Sequence, residues 1–450
     1  MPAIARLLPL LALTTLLVQA PAGADDVPPY RASANLELVA HIPGSGGTDL
    51  EFFSRELREW TDWYGNVHVV PEGEPSVTRH FAMVGNQNAS SASGGGPMSG
   101  GAKIVDITDP QIPFIAAAVE NCRVGQGDIQ VAKGGTVAAI AFQSTGGSCQ
   151  THDGVTVPRG SALVDLSDVY NPLVVGSAPD TSGSHNQTIH PSGDYLYIST
   201  STGSGKVPIF DISDPANPVK IKNWAPPSGD NPHDIRFNDA GTRAYMAGIG
   251  QYRIVNTEDP ENPVLISTID PPGNTIGHDT EITADGAFLF LGEEAGGGGT
   301  FPCPGGAVYA YDIRDEANPV LVSIAEAGGG PVTGREVDQV WPVGVVPSQG
   351  CTSHVMDLNP DGRSLTLGWY VLGTRIFSFA SLYNPDGTPK TIENPSLAYG
   401  SRSTGDGLVE TGYIVLDGTR TWSAKQYSEV PGYIFSDDVN LGFYVTKIKP

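Results

Sequence analysis

Positive charge is scarce in this chain of 450 residues. Lysine and arginine together number 25, against 49 aspartates and glutamates, which gives a formal net charge of −24. Because nucleic acids and anionic membranes attract basic surfaces, this balance argues against both as partners. Charged residues of either sign make up only 16% of the chain, whereas glycine (56) and proline (37) are abundant. Such a composition is typical of many short strands joined by tight turns.

Long apolar runs and the common hydrolase motifs are absent as well. Beyond the first 24 residues, no apolar run is long enough to span a bilayer. The chain has no Gly-x-Ser-x-Gly elbow and no His-Glu-x-x-His helix motif. The sequence therefore predicts neither a membrane span nor one of these hydrolases.

The first 24 residues have the pattern of a secretory signal peptide. Arg6 supplies positive charge, residues 7–18 form a short apolar core, and residues 22–24 read Ala-Gly-Ala, a small-residue cleavage site. We therefore expect cleavage after Ala24 and a secreted, extracellular protein.

One phrase recurs along the chain and organises it. An apolar run ends in a polar anchor, a short polar turn follows, and a proline falls seven residues after the anchor. The five anchor and proline pairs are Asp106 and Pro113, Asp165 and Pro172, Asp211 and Pro218, Asn256 and Pro263, and Asp312 and Pro319. Five copies in fixed register are a strong signal of a repeat fold.

The phrase predicts two strands of a small antiparallel sheet. The β-branched apolar run is typical of a buried strand, and Asp, Ser and Asn favour the turn. Proline cannot donate to a β-ladder, so it fits the start of an outermost strand. A degenerate sixth copy runs from Ser378 to Pro385, and a seventh third strand lies near Val445. The fold class is therefore an all-β, seven-bladed β-propeller of four-stranded antiparallel blades, with six or eight blades as alternatives.

The N-terminus is expected to close the ring. Residues 34–40 resemble the outer strands that follow Asn-Pro elsewhere, yet no earlier strands accompany them. We predict that they complete the last blade beside the segment around Phe443, which protects an open sheet edge. The predicted domains are a signal peptide (1–24), an N-terminal linker (25–34) and a single propeller domain (35–450).

The chain resembles the LVIVD-repeat β-propeller family of the secreted bacterial type. The third-strand phrase that carries the resemblance reads Ile-Val-Asp at 104–106, Leu-Val-Asp at 163–165, Ile-Phe-Asp at 209–211 and Ile-Val-Asn at 254–256. The resemblance covers almost the whole mature chain and implies a secreted or surface propeller without an agreed reaction. A more distant similarity is to the selenium-binding and methanethiol oxidase propellers, which use metal-bound histidines. No extended motif of those enzymes occurs here, so their catalytic residues are not carried over.

The long loops are expected to share one face of the ring. They lie at 86–101, 144–160, 295–306, 328–352 and 386–420, and each is expected to join second to third strands or successive blades. The insertion at 53–79, with Trp60, Trp63 and Tyr64, joins a first strand to a second and opens on the opposite face. A rigid scaffold with clustered loops favours binding on the loop-rich face.

Four cysteines in an exported protein predict two disulfides. In the repeat frame, Cys122 and Cys351 precede innermost strands, whereas Cys149 and Cys303 lie between second and third strands. These two kinds of loop share a face, and the frame favours Cys122 with Cys149 and Cys303 with Cys351.

The best candidates for chemistry are four equivalent histidines. His185, His233, His278 and His354 occupy the same place in four consecutive blades, where the chain reaches the innermost strand. Innermost strands converge on the central channel, so the imidazoles could meet at its mouth. Neutral imidazole suits Zn²⁺, Cu²⁺ or iron as a ligand. The alternative is a structural brace, because WD40-like propellers place Gly-His at this point to hydrogen-bond within a blade.

Equivalent positions in the remaining blades carry other side chains. They lie near Asp49 and Asp128 in blades one and two and near Trp422 in blade seven, so the two carboxylates are further candidates at the channel mouth. Asp234 and Asp279 directly follow histidines and are expected to brace neighbouring blades, since strand side chains alternate. His190 is interpreted as a surface turn residue.

Two functions follow from these features. The first is an extracellular scaffold, monomeric and without a cofactor, that binds a protein or small ligand through its loop-rich face. The second is a metal-dependent enzyme, such as an oxidase, with a transition metal ion held by the histidines in the central channel. Neither nucleic acid nor a membrane span is expected in either case.

Overall fold

The protein is described here by a computed structural model that covers residues 28–86, 98, 101–119, 122–123, 127–142, 148–157, 159–200, 205–227, 231–295, 305–326, 350–393, 395, 397 and 406–450. Within these residues the chain forms β-strands, turns and short 3₁₀ turns such as Lys133–Gly135, with no α-helix. None of the helical segments in this part of the chain has the length and apolarity needed to cross a bilayer.

The strands follow one another in short segments along the whole described chain. The first fifteen are β1 (Tyr30–Ala32), β2 (Leu36–Pro43), β3 (Gly47–Leu57), β4 (Glu59–Thr61), β5 (Val67–Val69), β6 (Val77–Asn86), β7 (Lys103–Asp106), β8 (Phe114–Ala118), β9 (Cys122–Arg123), β10 (Ile129–Ala132), β11 (Val137–Phe142), β12 (Ser148–Gln150), β13 (Thr156–Val157), β14 (Gly160–Asp165) and β15 (Leu173–Pro179). The next twelve are β16 (Asn186–Ile189), β17 (Tyr195–Ser199), β18 (Val207–Asp211), β19 (Val219–Trp224), β20 (Pro232–Phe237), β21 (Arg243–Gly248), β22 (Tyr252–Asn256), β23 (Val264–Ile269), β24 (Gly277–Ile282), β25 (Phe288–Glu293), β26 (Val308–Asp312) and β27 (Val320–Ala325). The last seven are β28 (Met356–Leu358), β29 (Ser364–Gly368), β30 (Thr374–Ser378), β31 (Val409–Leu416), β32 (Thr421–Gln426), β33 (Tyr433–Asp438) and β34 (Gly442–Ile448).

Seven antiparallel blades form from these strands, which confirms the predicted fold class and blade count. From the innermost strand outward they are β3-β6-β7-β8, β10-β11-β14-β15, β16-β17-β18-β19, β20-β21-β22-β23, β24-β25-β26-β27, β28-β29-β30-β31 and β32-β33-β34-β2. The innermost strands contact one another in the order β3, β10, β16, β20, β24, β28, β32 and back to β3. The blades therefore form a closed ring around a central channel.

The repeated phrase forms the predicted pair of strands. In blade four, β22 is buried almost throughout and ends at Asn256, whose side-chain oxygen accepts a hydrogen bond from the Glu258 amide at 2.9 Å. The outer strand β23 begins directly after Pro263. The ladder between third and outer strands also shifts register just before the anchor, here between Ile254 and Val255. The same shift recurs in the other copies of the phrase, as at Ile209 and Phe210 in blade three.

The N-terminal strand closes the ring as predicted. β2 pairs antiparallel with β34, with Ala40 opposite Val445 and Ile42 opposite Phe443. In addition, β1 pairs with β31 and adds a fifth strand to blade six, with Tyr30 opposite Leu416. This short strand lies inside the stretch expected to be a linker, and three residues with no copy of the phrase gave no signal for it.

Blade six departs from the expected pattern after its third strand. The sixth copy of the phrase ends at Pro385, but the structure places the outer strand at β31, which begins at Val409, inside the stretch 386–420 that was expected to be a loop. A 3₁₀ turn at Ala380–Leu382 follows β30, and the Gly387 amide then donates to the Asn384 carbonyl at 2.9 Å, so this Asn-Pro forms a turn. Residues 379–408 therefore join a third strand to an outer strand, and the prediction that this loop lies on the loop-rich face was wrong.

Two other insertions form small sheets. The one in blade one forms the β4-β5 hairpin and joins a first strand to a second, as predicted. In blade two, β12 pairs with both β9 and β13 in a three-stranded sheet, and β12 and β13 lie within a region expected to be a loop.

Candidate functional site

The four equivalent histidines lie side by side at the centre of the ring. Their ring centroids are 4.3 Å apart for His185 and His233, 4.2 Å for His233 and His278, and 3.9 Å for His278 and His354. Trp422 of blade seven continues the row, 4.2 Å from His354. The structure thus brings together all four residues that the repeat frame aligned.

A β-bulge explains why these side chains leave the sheet. In β20 the pairing register shifts between Pro232 and Asp234, so His233 is the extra residue. The same shift occurs around His278 in β24 and around Trp422 in β32. A bulge redirects the side chain of its extra residue, which here points toward the neighbouring blades instead of along the sheet.

Backbone carbonyls fix the tautomers of two of the rings. His233 Nδ1 lies 3.2 Å from the His278 carbonyl, and His354 Nδ1 lies 3.0 Å from the Trp422 carbonyl. A carbonyl oxygen can only accept, so each Nδ1 carries the proton and each neutral ring has its lone pair on Nε2. His185 Nε2 lies 2.8 Å from His233 Nε2, and His185 must therefore be the donor of that bond. His278 Nδ1 is buried without a hydrogen-bond partner.

One carboxylate faces this row of imidazoles. Glu294 follows the second strand of blade five and is 7% exposed. Its Oε2 lies 4.0 Å from His278 Nε2, and its Oε1 lies 3.7 Å from His354 Nε2. Ligand atoms of His233, His278 and Glu294 all lie within 4.8 Å of one another. We call these three residues together with His185 and His354 the histidine cluster.

Burial keeps the four imidazoles of the histidine cluster uncharged. It lowers the pKa of His185 to about 4 and the pKa values of His233, His278 and His354 well below the usual histidine range, and the neighbouring imidazoles add to the effect for the last three. Burial also raises the pKa of Glu294 to about 7, against the opposing hydrogen bond from Tyr370. At neutral pH the imidazoles are thus unprotonated bases, which is the form that binds metal ions.

Asp49 and Asp128, predicted at the channel mouth, each contact a partner on a neighbouring blade. Asp49 Oδ1 lies 3.1 Å from Lys425 Nζ, which also contacts Glu51 at 2.7 Å. The Gln187 amide donates to Asp128 Oδ2 at 2.7 Å and so ties blade three to blade two. Sequence alignment of the blades could not show these partners, because neither Lys425 nor the Gln187 amide occupies a position equivalent to the two acids.

A second group of charges lies along the innermost strands. In addition to the contacts of Lys425, Arg236 Nη2 lies 2.9 Å from Glu281 Oε2. We call Lys425, Asp49, Glu51, Arg236 and Glu281 the ion-pair cluster. Although burial opposes it, the carboxylates around Lys425 raise the pKa of that lysine above its usual value.

The aspartate beside His278 braces neighbouring blades, as expected. The Met356 amide of blade six donates to Asp279 Oδ2 of blade five at 2.8 Å. Asp234 accepts from the adjacent Ile235 amide at 2.7 Å, and burial raises its pKa well above the usual value.

The interpretation of His190 as a surface residue was wrong. It is 8% exposed, and its Nε2 lies 2.9 Å from the Gly241 carbonyl of the next blade. A Cβ at Gly241 would lie 2.3 Å from that nitrogen, so the glycine provides the space for the contact.

Three of the four cysteines lie among the described residues. Cys122 and Cys149 are opposite each other in the antiparallel pair of β9 and β12, as the first predicted disulfide requires. Cys351 is 4% exposed, and Cys303 lies outside the described residues. Both disulfides stay predictions.

Comparisons with known proteins place the fold and nothing finer. No family model and no curated protein matches the chain. Among solved structures, the Cps50 (Swd1) β-propeller domain of Myceliophteria thermophila is similar with a TM-score of 0.53 at 10% identity, over 92% of this chain and 100% of that one. Hydrazine synthase of Kuenenia stuttgartiensis has a TM-score of 0.50 at 12% identity, over 81% and 91% of the two chains. The periplasmic gluconolactonase of Pseudomonas aeruginosa has a TM-score of 0.47 at 15% identity, over 81% and 99%.

At such low identities, the two structures with TM-scores of 0.53 and 0.50 establish a shared fold alone. The chain is a seven-bladed β-propeller with a buried histidine cluster in its channel. The activities of the similar structures are not transferred to it, because propellers host unrelated functions.

Proposed function

We propose that the protein is a metal-dependent propeller that binds one transition-metal ion in its central channel through His233, His278 and Glu294. The observation that carries this proposal is the orientation of the imidazoles. The Nδ1 proton of His233 is given to a backbone carbonyl, so its Nε2 lone pair lies inside the cluster that contains His278 and Glu294. That lone pair accepts a hydrogen bond from His185, which a bound ion would replace. Metal-binding histidines almost always donate their second ring N–H to such an acceptor.

The spacing of the ligand atoms supports the same function. Two ligand atoms that each lie about 2.0–2.2 Å from one ion are about 3–4 Å apart, depending on geometry. The His278 Nε2 to Glu294 Oε2 distance of 4.0 Å is too long for a hydrogen bond and fits two ligands of one ion. A small movement of side chains would therefore complete the site.

The donor set indicates the kind of metal and of chemistry. Imidazole nitrogens with one carboxylate suit Zn²⁺, Cu²⁺ or iron rather than Mg²⁺ or Ca²⁺. Three protein ligands leave a coordination position for water or substrate, which is typical of catalytic sites. Bound there, such an ion would supply Lewis-acid or redox chemistry. His354, whose Nε2 lies 3.7 Å from Glu294 Oε1, would lie beside it as a neutral imidazole.

The hypothesis of a structural brace explains the hydrogen bonds that two of the rings make through Nδ1. The Nδ1 bonds of His233 and His354 do join neighbouring blades, four to five and six to seven. A purely structural histidine would also satisfy its other nitrogen with backbone or solvent. Here His278 Nε2 and His354 Nε2 lie 4.0 and 3.7 Å from the Glu294 carboxylate, too far for hydrogen bonds, and His278 Nδ1 has no hydrogen-bond partner. Bracing and metal binding thus use different edges of the same rings.

Elemental analysis of protein purified without added metal tests the proposal. We expect about one transition-metal ion per chain, lost in the double variant His233→Ala, His278→Ala. The control is His41→Ala, which removes a buried histidine whose Nε2 lies 2.8 Å from the Leu441 carbonyl in blade seven. That variant should keep its metal.

A protein that contains no metal, and binds neither Zn²⁺ nor Cu²⁺ when they are added, would overturn the proposal. The extracellular scaffold that uses the loop-rich face would then be the better function. The two outcomes are distinct, because a scaffold needs the channel histidines only for stability.

We also propose that the protein is of the LVIVD-repeat type, that it is exported, and that it carries two disulfides. The recurring third-strand phrase, the signal-like first 24 residues and the opposed Cys122 and Cys149 support it. Mass spectrometry of the secreted protein checks both points: the mature chain should begin at Asp25, and non-reducing peptide maps should link Cys122 with Cys149 and Cys303 with Cys351. Retention of residues 1–24 would exclude export by this route.

A further inference from the structure

Tyr370 has an unusual backbone next to the histidine cluster. Among the described residues, Tyr370 and Lys133 are the two non-glycine residues with positive φ, and the φ of Tyr370 is 34°. Large side chains rarely adopt this conformation because it is strained. Tyr370 lies in the turn between β29 and β30, where the amides of Gly373 and Thr421 donate to its carbonyl at 3.0 and 2.9 Å. The turn therefore holds this residue in place from two blades.

The strained backbone delivers a phenol to the histidine cluster. Tyr370 is 2% exposed, and its hydroxyl donates to Glu294 Oε1 at 2.8 Å. Its ring centroid lies 4.7 Å from that of His354, and the Arg420 guanidinium covers the ring at 4.7 Å. Burial raises the pKa of Tyr370 well above the usual tyrosine range, so the hydroxyl remains a donor at neutral pH.

The bond to Tyr370 determines which carboxylate oxygen of Glu294 faces His278. With Oε1 held by the phenol, Glu294 Oε2 is the oxygen directed at His278 Nε2. We infer that Tyr370 is a positioning residue of the metal centre: its hydroxyl orients Glu294 so that this carboxylate can bind the ion together with His233 and His278. This inference rests on the proposed metal-binding function.

Packing alone does not account for the arrangement. The ring contacts with His354 and Trp422 would be the same for phenylalanine, whereas only the hydroxyl reaches Glu294. Replacement of Tyr370 by Phe therefore separates a structural role of the ring from a positioning role of the oxygen.

Cobalt titration of the full chain, from which bound metal has been removed, tests the inference. We expect Tyr370→Phe to bind Co²⁺ about 10- to 100-fold more weakly than the unaltered protein, the range typical of lost outer-shell partners, and to shift the visible Co²⁺ absorption bands. The matched control is Tyr383→Phe, which removes a hydroxyl that donates to Asp285 Oδ1 at 3.1 Å away from the cluster. The control should bind Co²⁺ with unchanged affinity and spectrum.

The outcomes separate the two proposals. If the unaltered protein does not bind Co²⁺, Zn²⁺ or Cu²⁺, the metal-binding function fails, and the role of Tyr370 fails with it. If the unaltered protein binds Co²⁺ and Tyr370→Phe matches it in affinity and spectrum, only the role of Tyr370 is overturned. Should Tyr370→Phe not fold, 2,3-difluorotyrosine at position 370 keeps the shape and the hydrogen bond but makes the phenol more acidic. Shifted Co²⁺ bands would then support the inference, and identical bands would overturn it.

Discussion

The histidine cluster and the ion-pair cluster both include side chains of the innermost strands β20 and β24 but balance their charges differently. In the ion-pair cluster, Lys425 and Arg236 lie 2.7–3.1 Å from carboxylates, so each buried charge has an opposite charge beside it. In the histidine cluster, lowered pKa values leave neutral imidazoles around a single carboxylate. The first arrangement is complete without a ligand, whereas the second presents lone pairs that a cation would satisfy. The comparison separates a structural group from a candidate site.

The largest expected effect is on stability, from breaking the ion-pair cluster. Lys425→Met leaves the buried Asp49 without its cation, and removal of one partner of a buried pair costs about 3–5 kcal/mol of unfolding free energy. Urea unfolding at pH 7 measures this loss, with Lys447→Met near the C-terminal end of β34 as a control that should cost about 0.5 kcal/mol or less. Metal binding by the variant should be unchanged. Equal stability of the two variants would show that the pair is not structural.

The second-largest expected effect is a loss of unfolding free energy in acid, caused by protonation of His185. The pKa of His185 falls from 6.5 to about 4 on folding, so between these values the folded state binds fewer protons than the unfolded state. The stability due to the neutral ring is fully present above pH 6.5 and is lost as the pH falls through 4, by up to about 3 kcal/mol. Urea unfolding of metal-free protein at pH 7 and pH 4.5 measures the loss. In His185→Asn the difference between the two pH values should be smaller, and an unchanged difference would contradict the buried, neutral state of this ring.

Glu294→Gln should weaken metal binding with little effect on the fold. The amide keeps the acceptor for Tyr370 but removes the negative charge, and we expect at least about a 10-fold loss of Co²⁺ affinity by calorimetric titration. Glu293→Gln is the adjacent control, since the Glu293 carboxylate accepts from the Thr275 amide and not from the cluster. Equal losses in both variants would mean that a general loss of negative charge, not ligation, decides affinity.

The smallest effect is expected at Asp128. Burial raises the pKa of Asp128 well above its usual value, and Asn keeps an oxygen for the Gln187 amide. Asp128→Asn should therefore change the unfolding free energy by less than about 1 kcal/mol and leave metal binding unchanged. A large loss of metal affinity would restore Asp128 as a channel-mouth ligand, as the sequence suggested.

Most of the fold could be predicted from the sequence because of the repeated phrase. A fixed offset from anchor to proline locates the third and outer strands, and an outer strand without partners at the N-terminus implies ring closure with β34. The phrase failed in blade six, where Ser378 replaces the aspartate and the next Asn-Pro forms a turn. In blade six the Asn-Pro pair therefore forms a turn, although in the other blades it precedes the outer strand.

Alignment of the blades also explains why the histidines of the site could be predicted from the sequence and why Glu294 and Tyr370 could not. The four histidines are equivalent by sequence, and equivalent positions in a ring must converge. Glu294 and Tyr370 come from the ends of second strands, where blades differ, so no repeat aligns them. The Glu293-Glu294 pair directly after an apolar strand was the only available signal.

A crystal structure of the protein soaked with Zn²⁺, with anomalous data collected at the zinc edge, tests the central claim most directly. The account predicts one strong anomalous peak in the channel, about 2.0–2.2 Å from His233 Nε2, a His278 ring nitrogen and a Glu294 oxygen. Full anomalous occupancy only at exposed positions such as His68, with none in the channel, would contradict it.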